Sequence, residues 1–232
     1  MKRKNFSPRR NFLVGIFYQV MPITFSLFLV AIGSFILLFF ISIFGDPAVA
    51  GYGAAIRFEH LFTLPVIGLN TAVISIASQN FGARRFNRIR EVYFKAILIR
   101  VIIMCFASAI IYLLSEYIIL IFSNDLEVIK FGSQYLKIAA FIIPVYPIFF
   151  ISNAFFTAVK KTSIIFYNNL FRLIILPAII VWSILNIFNG EFQDIFFGLL
   201  YMNWIFGFFV LLLVRIVMIK KFYEKKKFFF FI

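Results

Sequence analysis

The chain has 232 residues, of which 63% are hydrophobic and only 14% charged, with 36 phenylalanines and a mean hydropathy of +1.02. Soluble domains carry roughly a quarter charged residues, so this composition excludes an ordinary soluble fold and predicts an integral membrane protein. The net charge is +14, yet the basic residues sit in short clusters between apolar runs, which excludes a basic nucleic-acid-binding domain, and the single Cys105 and single His60 exclude a Cys/His metal site or a disulfide framework.

Six apolar stretches follow in chain order, each able to supply the roughly 20 helical residues that cross a bilayer core. They run from Phe12 to Phe44, Ala48 to Phe81, Tyr93 to Phe122, Phe131 to Thr157, Ile164 to Ile187 and Ile195 to Ile219. The first follows the basic leader MKRKNFSPRR but is too long for a signal-peptide core and reads as an uncleaved span. The predicted organisation is a basic leader (1–11), a six-helix lobe (12–219) and a basic, aromatic tail (220–232) too short to cross again. The fold class expected is therefore an all-α six-transmembrane-helix bundle.

Charge alternates between connections. Lys2, Arg3, Lys4, Arg9 and Arg10 mark the leader, Arg84, Arg85, Arg88, Arg90 and Lys95 the second connection, Lys160 and Lys161 the fourth, and Lys220, Lys221, Lys225, Lys226 and Lys227 the tail. The other connections hold Asp46, then Asp125 and Glu127 with Lys130, then Glu191 and Asp194. Positive residues favour the cytoplasmic side, so the pattern predicts cytoplasmic N- and C-termini, with Gly82 capping the second helix at its cytoplasmic exit.

Polar residues inside spans are costly in lipid and mark bundle interiors or pathways. In the second span, Glu59, Thr63 and Asn70 fall on one helical face, and Arg57, Gly68, Thr71, Ser75 and Gln79 gather opposite, so protein or water is expected on both sides. Pro65 lacks the N–H of an i to i−4 bond and should bend that helix between the two stripes. Glu59 lies roughly 12 Å below one surface and Arg172, in the fifth span, roughly 15 Å above the other, so the two reach mid-membrane and can pair. Such a pair either orients two helices or couples cation occupancy to substrate binding. His60 adds a titratable neighbour. Pro144 and Pro147 in the fourth span should free carbonyls that need partners inside the protein, making a hinge or cavity wall beside Asn153 and Thr157. Pro177 adds a further break. No phosphate loop, dinucleotide fingerprint or G-x-S-x-G elbow occurs, and the aspartates lie at connections, so an enzyme is not expected.

The stretch FGDPAVAGYGAAIRFEHLFTLPVIGLNTAVISIASQNFGARRFNRIRE (Phe44 to Glu91) resembles the second helix of the C-terminal half of the MATE family, the multidrug and toxic compound extrusion transporters. IFSNDLEVIKFGSQYLKI (Ile121 to Ile138) and NNLFRLIILPAIIVW (Asn168 to Trp182) are similar to later segments of that half. The resemblance implies one six-helix lobe of an antiporter that exports organic, often cationic, compounds against H+ or Na+ by alternating access. It further implies a partner lobe, fused or separate, no cofactor besides the coupling ion, and a place in the bacterial cytoplasmic membrane. The acidic residue that many members carry in their first helix has no counterpart here, and Glu59 is the local substitute. The pathway candidates are Glu59, Arg57, His60, Asn70, Gln79, Asn153 and Arg172, and the hinge candidates Pro65, Pro144, Pro147 and Pro177. The alternatives are a self-pairing six-helix transporter, a flippase for lipid-linked sugars, and an inactive truncated fragment.

Overall fold

The computed structural model describes residues 10–227, with the side chains of residues 10–12, 63–66 and 221–227 outside the description. The leader residues Lys2, Arg3, Lys4 and Arg9, and the side chains of Arg10, Thr63, Pro65 and the tail lysines from Lys221 onward, therefore lie outside the described residues. Among those described there is no β-strand. Eight α-helices form six membrane-length passes: α1 (Arg10–Ile41), α2 (Asp46–Gly82), α3 (Phe86–Leu120), α4 (Leu126–Ile142) continuing into α5 (Tyr146–Ala158), α6 (Thr162–Leu170) continuing into α7 (Leu176–Asn186), and α8 (Phe192–Lys227). Five passes meet the length and hydropathy expected of membrane spans, and the two halves of α2, Asp46–Phe62 and Ile67–Gly82, make the sixth, meeting at 46°.

The helices exceed the apolar runs because connections are short and polar ends still complete a turn. Asp125 caps α4 by accepting the Glu127 N–H at 2.8 Å, satisfying one of the orphan donors of the first turn. The expected cap at Gly82 is corrected. That glycine stays within the helix, Ala83 follows it with φ −79°, and the left-handed residue is Arg84 at φ 57°, where the Arg85 N–H reaches back to the Asn80 carbonyl at 2.8 Å. The helix thus runs past the glycine, and an exposed arginine takes the strained position. The turn after α5 repeats the device, with Lys160 at φ 59° and Lys161 N–H on the Phe156 carbonyl at 2.8 Å. At the other end, α8 passes the expected boundary at Ile219 and stays helical to Lys227, since lysines favour helix and suit the negative end of its dipole.

α2 lies at the centre, packed on α3, α4 and α5; α8 packs on α4, α5 and α7; α1 packs mainly on α6, α7 and the segment between them. Two crossings need glycine. A Cβ on Gly51 would stand 2.6 Å from the Val128 carbonyl oxygen and 2.7 Å from the Gly132 nitrogen of α4, and one on Gly33 would stand 2.5 Å from the Leu173 carbonyl oxygen. Those distances bring α2 onto α4 and α1 onto the fifth pass at backbone contact.

The proline breaks are repaired as the sequence requires. Pro144 cannot donate to the Ala140 carbonyl, and the Ser108 hydroxyl of α3 donates to it instead. A 3₁₀ turn, Ile143–Val145, joins α4 to α5, and the Phe141 carbonyl beside it accepts the Trp204 Nε1–H of α8 at 3.0 Å. The fifth pass breaks differently. Phe171–Ile175 is a π-helical turn, followed by Pro177 in the first turn of α7.

Candidate functional site

A cavity of about 260 Å³ lies at the heart of the bundle, and every pass contributes to its wall. Ser34 comes from α1, Glu59 and His60 from α2, Met104 from α3, Tyr135 and Tyr146 from the fourth pass, Arg172 and Pro177 from the fifth, and Asn203 from α8. Its floor is aromatic. Tyr52 meets Tyr135 edge-on at 4.9 Å and stacks on Phe196 at 5.8 Å, while Tyr135 meets Phe196 at 4.7 Å. The Tyr135 hydroxyl donates to the Glu59 carboxylate, and Tyr146 lies close enough to feel both Glu59 and Arg172.

Arg172 sits in the π-helical turn, where one extra residue per turn shifts its phase relative to a regular helix and brings it to the cavity. Its Nε donates to Asn203 Oδ1 at 3.2 Å, and its guanidinium lies 3.9 Å from the Phe149 ring centroid and 5.5 Å from that of Tyr146. Asn203 is oriented for this because its own Nδ2 donates to the Leu199 carbonyl at 2.8 Å. The cavity therefore carries a carboxylate on one wall and a guanidinium on the other, with tyrosines between them.

Of the residues proposed from sequence, Glu59, His60, Arg172 and Pro177 meet in this cavity. Asn70 is on the inward face of α2 but belongs to a second cluster, where its Oδ1 accepts Arg100 NH1 at 2.7 Å. Arg57, Gly68, Thr71, Ser75 and Gln79 are all exposed, so the opposite stripe forms an outer polar face of the bundle. Asn153 is half-buried on α5 and lends its backbone carbonyl to the Thr157 hydroxyl at 2.8 Å, away from the cavity. Asn203, the tyrosines and Arg100 were missed. An asparagine or arginine within an apolar span is itself a signal, and Arg100 in AILIRVIIMC carries it plainly.

The MatE family model matches residues 22–183, more than half of the 232. The chain belongs to the MatE family. Among similar proteins, the probable multidrug resistance protein YpnP of Bacillus subtilis is 31% identical over 110 residues, covering 47% of this chain and 25% of that protein. The multidrug export protein MepA of Staphylococcus saprophyticus is 26% identical over 131 residues, covering 56% of this chain and 29% of that protein. A MOP superfamily transporter from Pyrococcus furiosus superposes with a TM-score of 0.88 at 19% identity, over 94% of this chain and 49% of that one. An outward-facing multidrug resistance MATE family transporter gives the same TM-score of 0.88 at 20% identity. The MatE chain described here thus has the fold of these transporters and spans about half the length of the solved chains it matches.

Proposed function

We propose that this MatE chain is the C-terminal lobe of a multidrug exporter, working with an N-terminal six-helix lobe, fused or separate, in a bacterial cytoplasmic membrane. In this reading its termini face the cytoplasm, and it exports organic cations in exchange for H+ or Na+. The single observation that carries the reading is the bipolar central cavity, in which the Glu59 carboxylate stands over an aromatic floor of Tyr52, Tyr135 and Phe196. Aromatic faces attract organic cations and a carboxylate supplies the counter-charge, while the same carboxylate takes a proton or a sodium ion when the organic cation leaves. One group serving both cations makes their occupancies mutually exclusive, which is what exchange requires. The exposed polar stripe of Arg57, Thr71, Ser75 and Gln79 suits a face turned toward a second lobe or a watery path rather than lipid. The half-length coverage of the solved transporters supports the second lobe.

The test is equilibrium binding of ethidium to the purified protein across pH and sodium concentration. In wild type, protons or sodium ions should compete with ethidium; in Glu59→Gln the affinity should fall about tenfold or more and the ion dependence should vanish. Equal affinity and equal ion dependence in the two proteins would remove Glu59 from the mechanism.

A further inference from the structure

A second and larger concavity, about 810 Å³, runs along the outer surface between α6–α7 and α8. Its walls are apolar, with Phe171 and Ile180 on one side and Met202, Ile205 and Phe209 on the other. From Gly198 to Leu213 along α8 it extends ~22 Å at the rise of an α-helix. That exceeds the roughly 15 Å depth of one leaflet, half of a core about 30 Å thick. A whole acyl chain therefore fits lengthwise.

Besides the exposed tyrosines Tyr167 and Tyr201, one buried wall residue breaks the apolar lining. Asn168 is 8% exposed, and its Nδ2 has no hydrogen-bond partner among the described residues. Leaving a buried amide unsatisfied is costly, so the site favours an occupant that brings an acceptor. Asn168 follows the start of α6 by six residues, or ~9 Å. An interfacial layer is roughly 5–8 Å deep on each side, so this amide stands just inside it, at the level where phospholipid esters meet their acyl chains. The groove's ends differ in charge. Lys160 and Lys161 precede α6, both exposed, whereas Glu191 and Asp194 flank the other end.

The geometry points to a binding site for one anionic phospholipid: acyl chain along the α6–α8 groove, ester carbonyl on Asn168, and phosphate at the basic end beside Lys160 and Lys161. An ester carbonyl is a free acceptor, whereas a transmembrane helix from another protein presents carbonyls already bonded within itself. The site lies outside the central cavity except for Met202, which touches both, and its occupancy does not depend on the transport reading.

The test is native mass spectrometry of the full chain, released from detergent after incubation with dioleoyl phosphatidylglycerol or dioleoyl phosphatidylcholine. Wild type should retain one phosphatidylglycerol in preference to phosphatidylcholine. Asn168→Leu should weaken retention of both about fivefold, the worth of one hydrogen bond. Lys160→Gln with Lys161→Gln should level the two lipids. Ile205→Trp, which fills the groove from a position 72% exposed, should abolish retention without disturbing the fold; thermal unfolding in lipid-free detergent checks that it has not. Equal retention by wild type, Asn168→Leu and Ile205→Trp would overturn the site, as would retention of a second copy of the chain in place of lipid.

Discussion

Two guanidiniums are held inside this bundle by the same kind of contacts and to different ends. Arg172 donates to Asn203 and lies 3.9 Å from the Phe149 ring centroid; Arg100 donates to Asn70 and lies 4.4 Å from that of Phe150. Phe149 and Phe150 are neighbours on α5, about 100° apart around the helix, so α5 presents one ring to each arginine. Arg172 lines the central cavity, while Arg100 is 1% exposed, lines neither of the two concavities described, and has an Nε without a hydrogen-bond partner among the described residues. The difference teaches that a charge in a membrane span is not by itself a transport group. One arginine faces space that a ligand can enter, and the other faces packed side chains.

The contrast predicts that the Arg100 cluster answers in stability and the Arg172 cluster in binding. The largest effect is expected for Asn70→Leu, which strands the Arg100 charge without its acceptor and should lower thermal stability in detergent by about 3 kcal/mol. Arg172→Met removes a positive charge from the cavity that holds Glu59, so ethidium affinity should rise about tenfold while the unfolding temperature changes little; a fall in affinity would break the reading of Arg172 as a cavity charge. Arg100→Met removes the charge together with its desolvation cost, and unfolding should report a loss of only about 1 kcal/mol, less than for Asn70→Leu. The smallest effects come from the rings. Phe150→Leu should cost about 0.5–1 kcal/mol of stability through the lost cation–π contact. Phe149→Leu should instead shift ethidium affinity about twofold by loosening Arg172.

Much of the architecture was legible in order. The six passes follow from apolar length, because a bilayer core demands about 20 residues whatever the neighbours do. The two faces of α2 were legible because helical phase is local: Glu59 and Asn70 turn inward and Arg57, Thr71, Ser75 and Gln79 outward, as their spacing requires. The repair of Pro144 was legible in kind, since a proline must orphan a carbonyl, but the donor, Ser108 on α3, was not. The cap at Gly82 was misread because a glycine near a helix end only permits a left-handed residue and does not compel one, and Arg84 takes that position.

The candidate site was half legible. Glu59, His60 and Arg172 were marked by polarity within apolar spans, and they share the cavity with Pro177. Asn203 lies 31 residues from the arginine it orients, and Asn70 lies 30 from Arg100, so no local pattern links them. The sequence by itself determined that the chain crosses a membrane, where it crosses, and which faces of α2 are polar, because hydropathy, helical phase and proline chemistry act over one or two turns. Only the tertiary structure decided which buried charge meets a cavity. That depends on the π-helical turn at Phe171–Ile175 and on the backbone crossings at Gly33 and Gly51, where distant helices meet at distances that no local pattern encodes.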